Sequence, residues 1–120
     1  MKNSKIFFTL IFVLGIAFNA TAQTIDHSKM IALKTESFKV WGNCDMCKDR
    51  IESTVKVAGA TAADWDSKTK LLSVTFDPAK TSTDSLSKKI AAVGHDTDKF
   101  KAPDDVYAKL PGCCHYERKK

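Results

Sequence analysis

The 120-residue sequence has no glycine-rich phosphate loop, no Ser/His/Asp grouping and no carboxylate pair placed by a motif. These absences remove the usual anchors of phosphoryl transfer, acyl transfer and acid–base hydrolysis, and with them the expectation of an enzyme. No segment repeats and none is of low complexity. A basic stripe fit for nucleic acid is also missing: bases alternate with acids, as in Lys48-Asp49-Arg50-Ile51-Glu52, the pattern of a solvated helix face. Only Arg118-Lys119-Lys120 is purely basic, as exposed chain ends often are.

The longest apolar run, Ile6 to Phe18, falls short of the roughly 18 to 20 residues a spanning helix needs. Lys2 and Lys5 precede it, and Ala20-Thr21-Ala22 follows as a small-x-small cleavage site. That order is the pattern of a secretory signal peptide over 1–22, with the mature chain starting at Gln23. No cysteine stands near the cleavage site to take a lipid. The short, Lys-bearing start has a bacterial form, so the expected location is periplasmic or secreted. Without Lys2 and Lys5 the formal charge falls from +5 to +3. The remaining chain of roughly a hundred residues suffices for one small domain.

What is present is a β-α-β-β-α-β pattern. Residues 23–34 have no period and read as an N-terminal tail. Glu36 to Trp41 alternates with Phe38 and Val40 on one face, which predicts a strand. Cys47, Ile51, Val55 and Ala58 have helical spacing, with Asp45 placed to cap the start and Gly59 to stop it. Ala60–Trp65 and Leu72–Phe76 flank the polar turn Asp66–Thr69 as a hairpin. Thr81–Val93 reads as a second helix, capped by Ser82 or Thr83, with Leu86, Ile90 and Val93 inward and Gly94 closing it. Asp98–Lys101 would be a last strand with Phe100 inward. The expected fold is α+β: a ferredoxin-like βαββαβ sandwich over 35–101, two helices on a four-stranded antiparallel sheet. A C-terminal extension, 102–120, opens with a short helix from Pro103 to Leu110. The expected core is Phe38, Val40, Ile51, Val55, Leu72, Val74, Phe76, Leu86, Ile90 and Phe100, with Trp41 and Trp65 in the core or on its rim.

The chemistry lies in the cysteines. Cys44-Asp45-Met46-Cys47 straddles a loop-to-helix junction, where free N–H groups and the helix dipole favour thiolate. Two thiolates with few other ligands suit Cu(I) first and Hg(II) next, whereas Zn(II) prefers four ligands. The same spacing serves a thiol–disulfide redox protein or a structural disulfide in an exported chain. The strand order speaks against the redox arrangement, which sits in a parallel βαβ setting.

The run from Phe38 to Glu52, Phe-Lys-Val-Trp-Gly-Asn-Cys-Asp-Met-Cys-Lys-Asp-Arg-Ile-Glu, resembles the metal-binding motif of heavy-metal-associated (HMA) domains. The resemblance extends over about 35–101, through Asp64-Trp65, Asp77-Pro78 and Ile90–Gly94. It implies the ferredoxin-like fold and a Cu(I)- or Hg(II)-type ion held by Cys44 and Cys47. The family includes copper chaperones, the N-terminal domains of copper-transporting P-type ATPases and the periplasmic mercuric-ion-binding protein. The usual family motif is Gly-Met-x-Cys-x-x-Cys, with the Met under the loop. Here Gly42-Asn43-Cys44 is one residue shorter and lacks that Met, while Met46 falls between the cysteines.

Cys113-Cys114-His115 lies outside the resemblance. It could supply accessory ligands, admitting Zn(II) if four assemble, form a disulfide, or stand by unused. His95, after Gly94, is either an exposed loop histidine, the commoner case, or a neighbour that tunes the metal loop. His27 and Met30 read as parts of a flexible tail. The resulting expectation is a non-enzymatic, monomeric soft-metal-binding protein for shuttling, sequestration or resistance. Its partner would be a metal-transporting membrane protein or another periplasmic carrier, docking on a surface around residues 42–48 with the Lys48, Arg50 and Lys56 side of the helix nearby. The alternative is a periplasmic thiol–disulfide protein using the same pair.

Overall fold

A computed structural model describes residues 32–120. The expected signal peptide, 1–22, and His27 and Met30 lie outside the described residues. Among the described residues three strands form one antiparallel sheet: β1 (Lys34–Lys39), β2 (Ala62–Trp65) and β3 (Leu71–Phe76), in the order β1-β3-β2. The central strand β3 pairs with β1 from Lys34↔Phe76 to Lys39↔Leu71, and with β2 from Ala62↔Thr75 to Trp65↔Leu72. Its alternation sends Leu72, Val74 and Phe76 into the core and leaves Leu71, Ser73 and Thr75 toward solvent.

Helices α1 (Asp45–Val57) and α2 (Thr83–Ala92) bury one stripe each: Cys47, Ile51 and Val55 on α1, and Leu86, Ser87, Ile90 and Ala91 on α2. These meet Phe38, Val40, Trp65 and the β3 residues in one core. The N-cap of α1 is Cys44 rather than Asp45, which is the first helical residue; Ser82 caps α2, its oxygen accepting the Ser85 N–H at 3.2 Å. The hairpin turn is tied by Asp66 Oδ1, which accepts the N–H of Lys68 at 2.7 Å and of Thr69 at 2.9 Å.

The expected fourth strand is reduced to a single antiparallel bridge, Val40↔Thr97. Trp41 N donates to Asp96 O at 2.8 Å and Asp98 N to Lys39 O at 3.2 Å, and pairing stops there. The cause is local. Thr97 Oγ1 accepts the N–H of Lys99 and of Phe100, while Thr97 N donates to Phe100 O, so 97–100 closes on itself as a turn. Phe100 is accordingly only half-buried.

After Ala102 the chain forms α3 (Asp104–Ala108), shorter than the Pro103–Leu110 expected, and a 3₁₀ turn at Gly112–Cys114. This strap is not loose. Leu110, Cys114 and Tyr116 join the core cluster. Tyr116 Oη donates to Gly94 O at 2.7 Å and accepts the Asp96 N–H at 2.8 Å. Arg118 forks onto the sealed Asp96 carboxylate, with Nη2 2.8 Å from Oδ1 and Nε 3.1 Å from Oδ2. Gly94, at φ +108, is the position where a side chain is excluded: a Cβ there would lie 2.9 Å from Leu110 Cδ2. Among the described residues no helix is long and apolar enough to cross a membrane.

Candidate metal centre

The loop between β1 and α1 is seated on Trp65. A Cβ at Gly42 would come within 3.0 Å of the Trp65 ring and 3.1 Å of Cys47 Cβ, so this glycine permits the close approach. Trp65 Nε1 donates to Val40 O at 3.0 Å and Lys70 Nζ donates to Gly42 O at 2.7 Å. The indole therefore floors the loop in a chain that lacks the motif methionine. Cys44 holds the N-cap position without a side-chain capping bond, so its sulfur is left free to face the other thiols.

Three sulfurs converge. Cys44 Sγ is 3.6 Å from Cys47 Sγ and 3.5 Å from Cys114 Sγ, and all three lie within 4.8 Å of one another. Cys47 and Cys114 are fully buried, Cys44 is half-buried, and all four cysteines are free thiols. Of the C-terminal triplet, then, Cys114 folds back into the group. Cys113 is exposed at its rim, 3.9 Å from Cys114 Sγ and 3.4 Å from Met46 Sδ. His115 is exposed and faces away, its ring 5.1 Å from that of Tyr107.

Cys44, Cys47 and Cys113 do not share one acidity. Burial pushes the Cys44 thiol up, but the Cys47 backbone N–H and the Cys114 and Cys113 side chains outweigh it and bring it down to about 7. Burial pushes Cys47 up to about 11. Cys113 is also held up, at about 11, chiefly by its hydrogen bond with Cys44 and then by burial. One thiolate at the helix N-terminus, bonded by neighbouring thiols, is the state this cluster favours.

Around the sulfurs is a polar layer of which sequence reasoning offered only His95, as one of two alternatives. Arg50 Nη1 lies 3.4 Å from Cys114 Sγ and 3.4 Å from His95 Nε2. His95 is not an exposed loop residue: it is fully buried and stacks on Tyr116 with ring centroids 5.6 Å apart. Its Nδ1 sits 2.9 Å from Trp41 O. Because a carbonyl only accepts and a guanidinium only donates, the ring is neutral with its proton on Nδ1. Burial, reinforced by Arg50 against the Trp41 carbonyl, lowers its pKa to about 4.

Two of the three basic residues expected near the docking surface are engaged within the chain. Lys48 pairs with Glu52 at 2.8 Å and Asp64 at 2.7 Å, and Arg50 is turned inward. Lysines collect instead beside the loop, where Lys39, Lys70, Lys119 and Lys120 line a cleft of about 630 Å³ with Trp41 and Glu117.

No family model and no curated protein matches the sequence. Solved structures do. The chain is similar to a CopZ metallochaperone, with 29% identity, 53% of this chain and 98% of that one covered, and a TM-score of 0.51. It is similar to oxidized MerP from Ralstonia metallidurans CH34, with 33% identity, 56% and 96% covered, and a TM-score of 0.51. It is also similar to the water-soluble region of the P-type ATPase CopA from Bacillus subtilis, with 33% identity, 54% and 44% covered, and a TM-score of 0.51. CopZ and MerP are thus matched almost whole by little more than half of this chain.

Proposed function

The chain belongs to the heavy-metal-associated domain family, and from that premise we propose that it is an exported, non-enzymatic binder of a soft metal ion held by Cys44, Cys47 and Cys114. The observation that carries the reading is the convergence of three sulfurs, two from the α1 turn and one from the strap. With metal–sulfur bonds of about 2.3 Å, a linear site needs sulfurs about 4.6 Å apart and a trigonal site about 4.0 Å. Separations of 3.6 and 3.5 Å fit the trigonal arrangement after a small spread. Cu(I) takes such a site readily, and Hg(II) follows by the same softness. Zn(II) prefers a fourth ligand, and the converging group holds three: Cys113 stands at its rim, and the His115 ring packs by Tyr107.

Charge also fits. Three thiolates around a monovalent cation leave excess negative charge, and Arg50 beside Cys114 together with the α1 N-terminus offsets it. Loading and transfer are ligand exchanges in which a partner's thiolates replace those of the chain. The similarity to CopA's soluble region supports a metal-transporting membrane protein as that partner, and MerP supports another carrier. The signal-like residues 1–22 support export to the periplasm or beyond.

The test is anaerobic titration of the reduced full chain with Cu(I), read by X-ray absorption. Wild type should give three sulfurs, Cys114→Ser two with weaker binding, and Cys44→Ser or Cys47→Ser little retention. Two-sulfur coordination indifferent to Cys114→Ser would refute the three-sulfur site. Turnover of a disulfide substrate by the metal-free protein would favour a thiol–disulfide protein instead.

A further inference from the structure

The three-sulfur site leaves two sulfurs unused at its mouth. Cys113 Sγ lies 3.4 Å from Met46 Sδ and 3.9 Å from Cys114 Sγ. Cys113 is exposed and Met46 is 49% exposed, whereas Cys47 and Cys114 are sealed from solvent. Met46 stands between two cysteines on the first turn of α1, and its thioether meets another sulfur rather than the core. Cys113 is held at that place from both sides: Asn43 Nδ2 donates to its carbonyl at 3.3 Å, and the following residue is fixed by Cys114 N to Pro111 O at 2.8 Å. The sulfurs therefore follow one another in contact, from the exposed Met46 and Cys113 through Cys114 to Cys44 and Cys47, at successive separations of 3.4, 3.9, 3.5 and 3.6 Å.

We infer that Met46 Sδ and Cys113 Sγ form an outer soft-ion site through which Cu(I) is loaded onto, and released from, the inner three sulfurs. The inference rests on the three-sulfur reading. A neutral thioether is a soft but weak ligand, suited to hold an ion briefly. On arrival Cu(I) exchanges two ligands of its donor for Met46 Sδ and Cys113 Sγ, whose thiol proton passes to solvent. Cys114 Sγ, 3.9 Å away, then bonds to the ion as the Met46 bond breaks. Cys44 and Cys47 join as Cys113 leaves and takes a proton back. Every thiol that binds gives up one proton, every one that leaves regains it, and no electron moves. Release runs through the same steps in reverse.

The experiment uses the reduced full chain, without oxygen, and Cu(I) supplied from a coloured Cu(I)–chelator complex in a stopped-flow instrument. Met46→Leu and Cys113→Ser alter exposed side chains and leave the core intact. Each should slow both loading and release by about tenfold, the size of effect that groups around a metal site carry. Equilibrium affinity and the three-sulfur absorption signature should stay as in wild type, because an on-pathway stop changes rates and not end states. Variants that load at the wild-type rate overturn the outer site. So does loss of a sulfur from the bound ion in Cys113→Ser, which would make Cys113 a resident ligand. A wild-type chain that binds Cu(I) with three sulfurs while both variants load normally separates failure of this inference from failure of the function; a wild type with no three-sulfur binding removes both.

Discussion

His95 should make the fold lose stability in mildly acid solution, and its surroundings set the size of the loss. The neutral ring donates from Nδ1 to Trp41 O and accepts Arg50 Nη1 at Nε2, with Tyr116 stacked on it. Protonation would place a cation in a sealed site and turn an N–H toward a guanidinium. Burial first, then the Arg50 charge, lower the pKa from 6.5 to about 4, against the raising pull of the Trp41 carbonyl and Asp96. The unfolded chain therefore binds the proton over the pH range in which the folded chain refuses it. Stability is unaffected by this group above about pH 6.5, falls as pH drops from there to about 4, and levels off below. The full loss is about 3 kcal/mol, of which about 2.5 kcal/mol is reached by pH 4.5. That is a large share of the roughly 5–15 kcal/mol available to a small domain. Cys44, lowered to about 7, acts above this window. Asp66 and Asp96, held below the ordinary carboxylate range by the hydrogen bonds they accept, act below it. Urea unfolding of the metal-free, reduced protein at pH 7 and pH 4.5, for wild type and His95→Asn, measures the difference. Asparagine keeps a donor toward Trp41 O and cannot titrate. Equal pH dependence in the two proteins would refute the reasoning.

Three further outcomes follow from the strap and the polar layer. Arg118→Ala strands the sealed Asp96 carboxylate, which keeps the Ala102 N–H at 2.7 Å, and should destabilise by about 3 kcal/mol in urea; a double-mutant cycle with Asp96→Asn should recover most of that coupling. Gly94→Ala forces φ +108 on a residue with a Cβ only 2.9 Å from Leu110, so thermal unfolding should show a loss of about 2–4 kcal/mol. Arg50→Gln removes the cation 3.4 Å from Cys114 Sγ and should weaken Cu(I) binding by about tenfold in a chelator competition, with little change in the urea midpoint of the metal-free protein.

The helices and the hairpin were legible because their signals are local. Ile51 and Val55, Leu86 and Ile90, and Leu72, Val74 and Phe76 all repeat at the period of their element, and all are buried. Cys44 and Cys47 were legible for the same reason, a spacing tied to one turn. The fourth strand failed because Thr97 uses its hydroxyl to close a turn, a competition that alternation does not report. The strap was hidden more deeply. Arg118-Lys119-Lys120 has the composition of a solvated end, yet Arg118 meets a carboxylate 22 residues away. A signal was present: both tyrosines of the chain, Tyr107 and Tyr116, fall in this segment, and aromatic residues seldom stand unpacked. The exposed-loop alternative for His95 failed because burial of a loop is set by what lies over it, here Tyr116 from the strap.

The same strap bears on what the protein does with its ion. A third sulfur on a mobile tail would compete poorly with an incoming partner's thiol. Cys114, however, is held by the 3₁₀ turn, by Tyr116 bonded to Gly94 and Asp96, and by Arg118 on Asp96. Its ordering cost is met during folding, so its effective concentration at the site is set by packing rather than by a flexible tether. A partner must then displace a prepositioned thiolate, which slows the release of the ion relative to a two-sulfur loop. On the proposed three-sulfur reading the chain would thereby be biased toward retention. Arg118→Ala supplies the contrast: freeing the strap should speed Cu(I) transfer to a dithiol acceptor while weakening equilibrium binding. A variant that binds more weakly but releases no faster would show that Cys114 holds the ion without governing its exit.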